Sequence, residues 1–359
     1  MTFCRPEPRD DLRALEGYHS PQVDVAVRLN TNESPYAPPQ AFVEQWLGAL
    51  GDVAWNRYPD RGANALRSSL GRFLGQPLER LLCGNGSNEV LQTLLLTYGG
   101  AGRNALMFEP TYALHSQIAR GTGTGVLAGE RGAGFAIDAP DAVAMIERQR
   151  PSVVFVCSPN NPTGTVEPRA TVEALSEACA AIGAVLVVDE AYGEFSPWSA
   201  LELVDEERPL AVVRTYSKVW SLAGVRLGFV VAPTWMIGEL EKVLLPYNLS
   251  VPTQVAGTVA LDFVNEMERR VATLVEERGR VFAALSAMDG VEVFPSGANF
   301  LLFRINSDAH DVWKRLLKHS VLVRDFSGWP LVEGCLRVTV GTPGENDAFL
   351  AALQEELRA

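Results

Sequence analysis

Apolar residues along the chain fall into short unbroken runs separated by longer stretches with helical spacing. The runs at 105–108, 153–157, 185–188, 211–213 and 229–232 are continuous rather than alternating. That pattern predicts strands buried on both faces of a parallel or mixed sheet. Between them, residues 167–182 place Val172, Leu175, Cys179 and Ile182 on one helical face and stop at Gly183. Strands alternating with helices in this way predict a doubly wound α/β domain.

The last third reads differently. A long helical stretch over 258–285 precedes short strands at 291–294, 299–303 and 335–340, with helical patterns at 308–318 and 347–357. This predicts a smaller α+β domain, with Pro246 and Pro252 marking the crossover. Residues 34–39 are too rich in proline for helix or central strand. The glycine-rich stretch 121–134 reads as a mobile surface connection, because its GTGTG lacks the GxGxxG spacing of a dinucleotide site. The expected division is an N-terminal arm with part of the small domain over 1–45, a large α/β domain over 46–250, and the C-terminal small domain over 251–359.

Composition narrows the function. A net charge of −12 opposes general nucleic-acid binding, which demands basic surface. It leaves room for a phosphorylated small substrate, since a few arginines can dominate a cleft. No run of about 18 apolar residues is present, so no membrane helix is expected. Residues 1–11 alternate charge and proline, unlike a signal peptide. Five scattered cysteines without a CxxC pair indicate neither a disulfide framework nor a zinc site. The cytoplasm is the expected compartment.

Four motifs follow or open these elements. Lys218, in Thr215-Tyr216-Ser217-Lys218, lies just past a buried strand, where open α/β sheets place ligands. A desolvated lysine there forms imines with carbonyl compounds, although a lysine after a strand is more often a solvated surface group. Asp189 follows the strand at 185–188, with Tyr192 three residues on. A carboxylate in that place suits the pyridine nitrogen of pyridoxal phosphate (PLP), which must stay protonated to act as an electron sink. The competing reading, a Mg²⁺-binding acidic pair, would want a GxxxxGK[ST] loop, which is absent. Ser158-Pro159-Asn160-Asn161-Pro162-Thr163-Gly164 is a rigid turn that can aim the Asn161 amide at a ligand, or simply a tight turn. Gly84-Asn85-Gly86-Ser87-Asn88-Glu89 opens a helix whose free N–H groups suit phosphate, with Arg226 and Ser217 able to complete the shell. The four histidines form no HExxH pattern or triad and read as structural or surface residues, with His115 close enough to Tyr112 to line a cleft.

Taken in order, these motifs resemble the fold type I PLP-dependent aminotransferases, and most closely the histidinol-phosphate aminotransferase family. Leu29-Asn30-Thr31-Asn32-Glu33-Ser34-Pro35-Tyr36-Ala37-Pro38 resembles that family's LNxNENPYGP segment. Arg57-Tyr58-Pro59-Asp60 is similar to its RYPD, Arg324-Asp325 to its VRD, and residues 336–342 to its LRITIGT. The resemblance implies a fold type I PLP-dependent transferase: a large, mostly parallel PLP-binding domain with a smaller α+β domain. It implies that Lys218 carries the cofactor as a Schiff base and shuttles the proton, that Asp189 pairs with the pyridinium, and that Tyr192 and Asn161 bond to O3′. Tyr112 would stack on the ring. Gly86, Ser87, Asn88, Thr215, Ser217 and Arg226 would surround the phosphate. Tyr58 would reach the phosphate in the partner subunit of a homodimer. Arg324 and Arg337 would bind the substrate anions, and Tyr18 would close over the substrate.

The implied reaction transfers the amino group of L-histidinol phosphate to 2-oxoglutarate, in histidine biosynthesis. Aromatic amino-acid transamination and a threonine-phosphate decarboxylase-like reaction stand as alternatives. A PLP-binding regulator ranks well below them. Ser34, Ala37, Tyr216 and Val219-Trp220-Ser221 depart from the family pattern; none of them removes a catalytic group, and they leave the shape of the substrate pocket open.

Overall fold

The structure, a computed structural model, describes residues 5–13, 15, 17 and 21–358. Its strands are β1 (Val27–Leu29), β2 (Leu81–Gly84), β3 (Asn104–Glu109), β4 (Gly125–Glu130), β5 (Val153–Cys157), β6 (Val185–Asp189), β7 (Leu210–Thr215) and β8 (Gly228–Val231), then β9 (Val291–Val293), β10 (Phe300–Ile305), β11 (Val321–Asp325) and β12 (Cys335–Thr339). Seven of them form one sheet in the order β2-β8-β7-β6-β5-β3-β4. Only β8 runs against its neighbours.

The helices are α1 (Gln40–Gly51), α2 (Asn64–Leu74), α3 (Ser87–Tyr98), α4 (Leu114–Gly121), α5 (Ala139–Gln149), α6 (Arg169–Ile182), α7 (Thr234–Val243), α8 (Val251–Ala260), α9 (Val264–Ser286), α10 (Ala309–Lys318) and α11 (Pro343–Arg358). Alternate strand residues feed two cores, as the pleat requires. Val154, Val156, Leu186 and Val188 pack with Val172 and Leu175 of α6 and Leu66 of α2. Phe155, Val187 and Val213 pack on the other face with Leu91 and Leu94 of α3 and Ile237 of α7. Each such buried side chain contributes roughly 1.5–3 kcal/mol. The unbroken apolar runs are thus explained by helices on both faces.

The remaining strands form a second sheet in the order β1-β11-β12-β10-β9, with β1 parallel to β11 and the other pairs antiparallel. Its core holds Val281 and Leu285 of α9, Val312 and Leu316 of α10, and Phe349 of α11. The short β1 therefore brings residues from near the start of the chain into a sheet built mainly from its last third.

Two elements differ from the expectation. The stretch 121–134 is no mobile connection: it contains β4, paired with β3 over six residues. Glycine is needed there, because a Cβ at Gly125 would lie 2.1 Å from Asn104 Oδ1. The stretch 258–285 is not one helix, since a 3₁₀ turn at Leu261–Phe263 separates α8 from α9. Contacts with α1 fix that break: Phe263 sits edge-on to Phe42 with ring centroids 5.9 Å apart, and Gln45 Nε2 donates to Asp262 at 2.7 Å.

Gly228 sets how closely β8 meets the start of α3. A Cβ there would lie 2.3 Å from the Ser87 nitrogen and 2.5 Å from the Gly86 carbonyl carbon, both backbone atoms. Gly228→Ala is therefore expected to cost about 1–3 kcal/mol, read from urea denaturation, by forcing the turn outward. An unchanged midpoint would show that the turn yields freely.

Candidate active site

Six parallel strands end at one edge of the large sheet, so the loops that follow them meet in one place. A cavity of about 370 Å³ opens there, between the two sheets. From β6 comes Asp189, from the β7 loop Thr215, Ser217 and Lys218, and from the β5 loop Asn161. The turn into α3 adds Ser87 and Asn88, and the loop after β3 adds Tyr112. Tyr192 and Arg226 complete that side. The opposite wall is residues 30–33 together with Arg324, Phe326, Trp329 and Arg337.

Lys218 Nζ donates to the Thr31 carbonyl at 3.0 Å and lies 5.6 Å from the Tyr192 ring centre. Burial pushes this ammonium down to about 8, and nearby Arg337 pushes in the same direction against the weaker pull of Glu33. Asp189 is 1% exposed. Its Oδ1 accepts the Ala191 N–H at 3.0 Å and its Oδ2 meets His115 Nε2 at 2.9 Å. The Tyr192 hydroxyl accepts from Asn32 Nδ2 at 2.8 Å, and burial raises the Tyr192 phenol well above its ordinary value.

At the other end of the cavity, Gly86 caps α3 with φ +76° and offers no side chain to the first-turn N–H groups. A Cβ there would lie 2.5 Å from Arg226 Nη2, so glycine is what lets the guanidinium lie against the turn. Arg226 Nη1 donates to Ser217 Oγ at 3.4 Å, and the Thr215 and Ser217 hydroxyls are 3.0 Å apart. A cation, hydroxyls and helix amides facing one spot form an anion cradle.

Arg324 on β11 and Arg337 on β12 are directly opposed across the strand pair. Like charges so placed repel. Arg337 is steadied by Asn161 Oδ1 and by the Asn30 carbonyl at 2.8 Å. Phe326 lies beneath both guanidinium groups, 5.3 Å from that of Arg337 and 5.9 Å from that of Arg324. A bound anion turns this repulsion into attraction.

Most of the residues singled out from the sequence thus converge. Tyr58 stands apart from this cavity, 80% exposed and stacked on Tyr247 at 4.5 Å. Tyr18 lies outside the described residues. The structure settles two points that the sequence left open. None of Ser34, Ala37, Tyr216, Val219, Trp220 or Ser221 lines the cavity. Four of the six instead meet in pairs: Tyr216 stacks on Trp220 at 5.1 Å, and Ser221 Oγ donates to Ser34 Oγ at 3.0 Å. His115 is not on the cavity wall but behind it, against Asp189. Phe326, Trp329 and Glu33 line the site without having been singled out. Glu33 stood inside a quoted segment, whereas the two aromatics follow Asp325 in a loop with no periodic signal.

Fold and site together define a transferase of fold type I, the PLP-dependent class. Residues 24–353 match the family model for aminotransferase class I and II, and the chain belongs to that family. It is 47% identical over 357 residues to the histidinol-phosphate aminotransferase of Streptomyces avermitilis, covering 97% of this chain and 95% of that one. Identity to the enzyme of the same name from Corynebacterium diphtheriae is 44%, over 97% and 95%. The solved structure of histidinol-phosphate aminotransferase from Sinorhizobium meliloti, in complex with pyridoxal-5′-phosphate, superposes with a TM-score of 0.84 at 25% identity, covering 93% of this chain and 91% of that one.

The lowered basicity of Lys218 is measurable without any cofactor. The rate at which a small aldehyde is captured at Lys218, trapped with borohydride and located by mass spectrometry, is expected to rise with pH and level off above about 8. A rate still climbing roughly sevenfold to eightfold between pH 9 and pH 10 would mark an ordinary lysine.

Proposed function

We propose that this aminotransferase transfers the amino group of L-histidinol phosphate to 2-oxoglutarate, with PLP held in the cavity described above. The reading draws its substrate from relatives 43–47% identical over nearly the whole chain. The observation that carries it is the opposed pair Arg324 and Arg337 on the wall facing Lys218. Two guanidinium groups suit a site that receives a phosphate in one half-reaction and a carboxylate in the other.

The residues fit the cofactor. The cradle of Ser87, Asn88, Thr215, Ser217 and Arg226 would hold its phosphate, with Gly86 leaving room for Arg226. Asp189 reaches the cavity with a carboxylate suited to the ring nitrogen, and Tyr112 stands where a flat ring would be covered. Tyr192 and Asn161 would meet the ring oxygen. When bound, PLP supplies an electron sink for the pair left behind as the substrate Cα–H bond breaks. Lys218 Nζ, part of which is neutral near pH 7, takes that proton and later returns it. Arg337, fixed by Asn161 and Asn30, orients the substrate so that this hydrogen faces the lysine. The apolar faces of Phe326 and Trp329 keep water from that side.

The functional unit is proposed to be a homodimer. Trp55, Tyr58 and Leu245 are 62%, 80% and 73% exposed, and a second copy covering them would carry Tyr58 toward its partner's phosphate cradle. Tyr18 is proposed to close over the substrate. The domain division at about residues 45 and 250 and a cytoplasmic location belong to the same reading. Among the described residues no helix is long and apolar enough to cross a membrane.

Purified protein loaded with PLP is expected to form glutamate from histidinol phosphate and 2-oxoglutarate, with kcat/KM well above that for phenylalanine. Absence of glutamate from the PLP-bound protein would overturn the assignment, and carbon dioxide release without an acceptor would point to a decarboxylase. Lys218→Ala should abolish turnover. Arg337→Ala and Arg324→Ala should each raise KM for histidinol phosphate by roughly 10- to 100-fold, the worth of a charge-assisted hydrogen bond.

A further inference from the structure

Arg131 and Glu167 form an ion pair whose side chains are 1% and 0% exposed, and neither residue lines the cavity. Arg131 follows β4, and its guanidinium reaches in three directions. Nε donates to the Phe108 carbonyl at 3.1 Å and Nη2 to the Cys157 carbonyl at 3.3 Å. Nη1 donates to the Phe135 carbonyl at 2.9 Å and to Glu167 Oε1. Glu167 stands just before α6. Its Oε2 accepts the Ile137 N–H at 3.2 Å, and its own N–H donates to Ser158 Oγ at 3.0 Å.

Two of those carbonyls have a particular place. Phe108 lies near the end of β3, shortly before Tyr112, and Cys157 ends β5, shortly before Asn161. One guanidinium therefore joins the roots of both loops. Farther out the loops touch directly: Asn160 Nδ2 donates to the Pro110 carbonyl and Asn160 Oδ1 accepts from Thr111 Oγ1, each at 2.9 Å. Beyond that contact stands Asn161. Arg337 Nη1 can only donate, so it holds Asn161 by Oδ1 and leaves Nδ2 to donate elsewhere. Taking two charges out of water is costly, and apolar side chains in their place are often no less stable. What an arginine adds is geometry, since its planar fork fixes several acceptors at once.

We infer that Arg131 and Glu167 are a positioning pair: by tying the ends of β3 and β5 to one guanidinium, they fix the spacing between Tyr112 and Asn161, and so where the cofactor's ring is covered and where its ring oxygen is met. Neither residue touches cofactor or substrate. The two ring contacts rest on the PLP reading of the site, but the ties between the loops do not.

The test compares two variants. Arg131→Lys keeps a cation for Glu167, but a single ammonium cannot reach all three carbonyls. Arg131→Met combined with Glu167→Met strands no charge and removes every tie. Hydrogen exchange read by mass spectrometry on cofactor-free protein forms the first arm. Segments 109–113 and 158–164 should exchange roughly tenfold faster or more in both variants, with β6 and β7 unchanged. Equal protection of the two segments in wild type and variants would overturn the inference. Faster exchange throughout would make the pair a general brace and overturn it too.

In the second arm, both variants should bind PLP roughly tenfold more weakly, the worth of one hydrogen bond. The absorbance of the bound cofactor should also change with pH at a higher midpoint, because an N–H donated to the ring oxygen favours its charged form. A pair that only braces the fold would leave that midpoint unmoved, and Arg131→Lys would behave as wild type; either result overturns the proposal. If Arg131→Lys does not fold, the double variant decides. If neither folds, the pair is a folding requirement and the proposal falls. Failure of the wild-type protein to bind PLP would sink the cofactor reading and leave the exchange measurement standing.

Discussion

The burial of β5, β6 and β7 on both faces governs the rest of the large sheet. Every residue of these three strands is buried, and almost all are apolar. Charge along their length would be stranded in the core, so polar groups gather at and beyond the carboxyl ends. Because the strands are parallel, those ends share one edge. Asp189 is the extreme case, a strand residue with 1% exposure. Its carboxylate is tolerable because the Ala191 N–H and the His115 ring meet its two oxygens and the cavity lies in front. Arg214, on β7, is held by Glu190 in a neighbouring buried pair at 2.8 Å, which keeps that second charge satisfied behind the site.

The second sheet closes the cavity through one small residue. Asn32, with φ +56°, takes Thr339 Oγ1 at both its backbone nitrogen and its side-chain oxygen, each at 3.0 Å. Its carbonyl accepts from Asn299 Nδ2 at 3.1 Å and its amide donates to the Tyr192 hydroxyl at 2.8 Å. It therefore ties β12 and the start of β10 to the large sheet across the site. Thr31, beside it, receives Lys218. The lysine, the phenol and the arginine wall are in register only when both sheets are formed.

This explains what was legible in the sequence. Strands buried on both faces announce themselves as apolar runs, and β3, β5, β6, β7 and β8 were found within one or two residues. β4 was missed because glycines at positions crowded by β3 erase the apolar signal, and β1, β2 and β11 were not singled out as the short strands they form. The break between α8 and α9 is made by Phe42 and Gln45 of α1, more than 200 residues away, and no local pattern encodes it. In the site, residues following strand ends were readable because topology brings them together. His115 was not: a lone histidine on a helix carries no sign of the carboxylate 74 positions later that it meets. The departures from the family pattern left the pocket's shape open, and only the structure places them off the cavity lining, with Tyr216 on Trp220 and Ser221 against Ser34.

The energetics of Lys218 show why the cavity needs this arrangement. At about 8 rather than 10.5, roughly a tenth of its amine is neutral at pH 7, against about 0.03% for an ordinary lysine. That is a gain of some 300-fold in nucleophile, roughly, obtained by desolvation and the nearness of Arg337. The same shift opposes folding. With the folded value below the unfolded one, the full cost is present below pH 8 and fades as pH rises from about 8 to 10.5, where the unfolded chain binds the extra proton. The cost is on the order of 2–3 kcal/mol once the open side of the cavity is allowed for. The same Arg337 that lowers its basicity is held on the cavity wall by Asn161 and Asn30. One guanidinium therefore both lowers the basicity of Lys218 and stands on the wall where a substrate anion is proposed to bind.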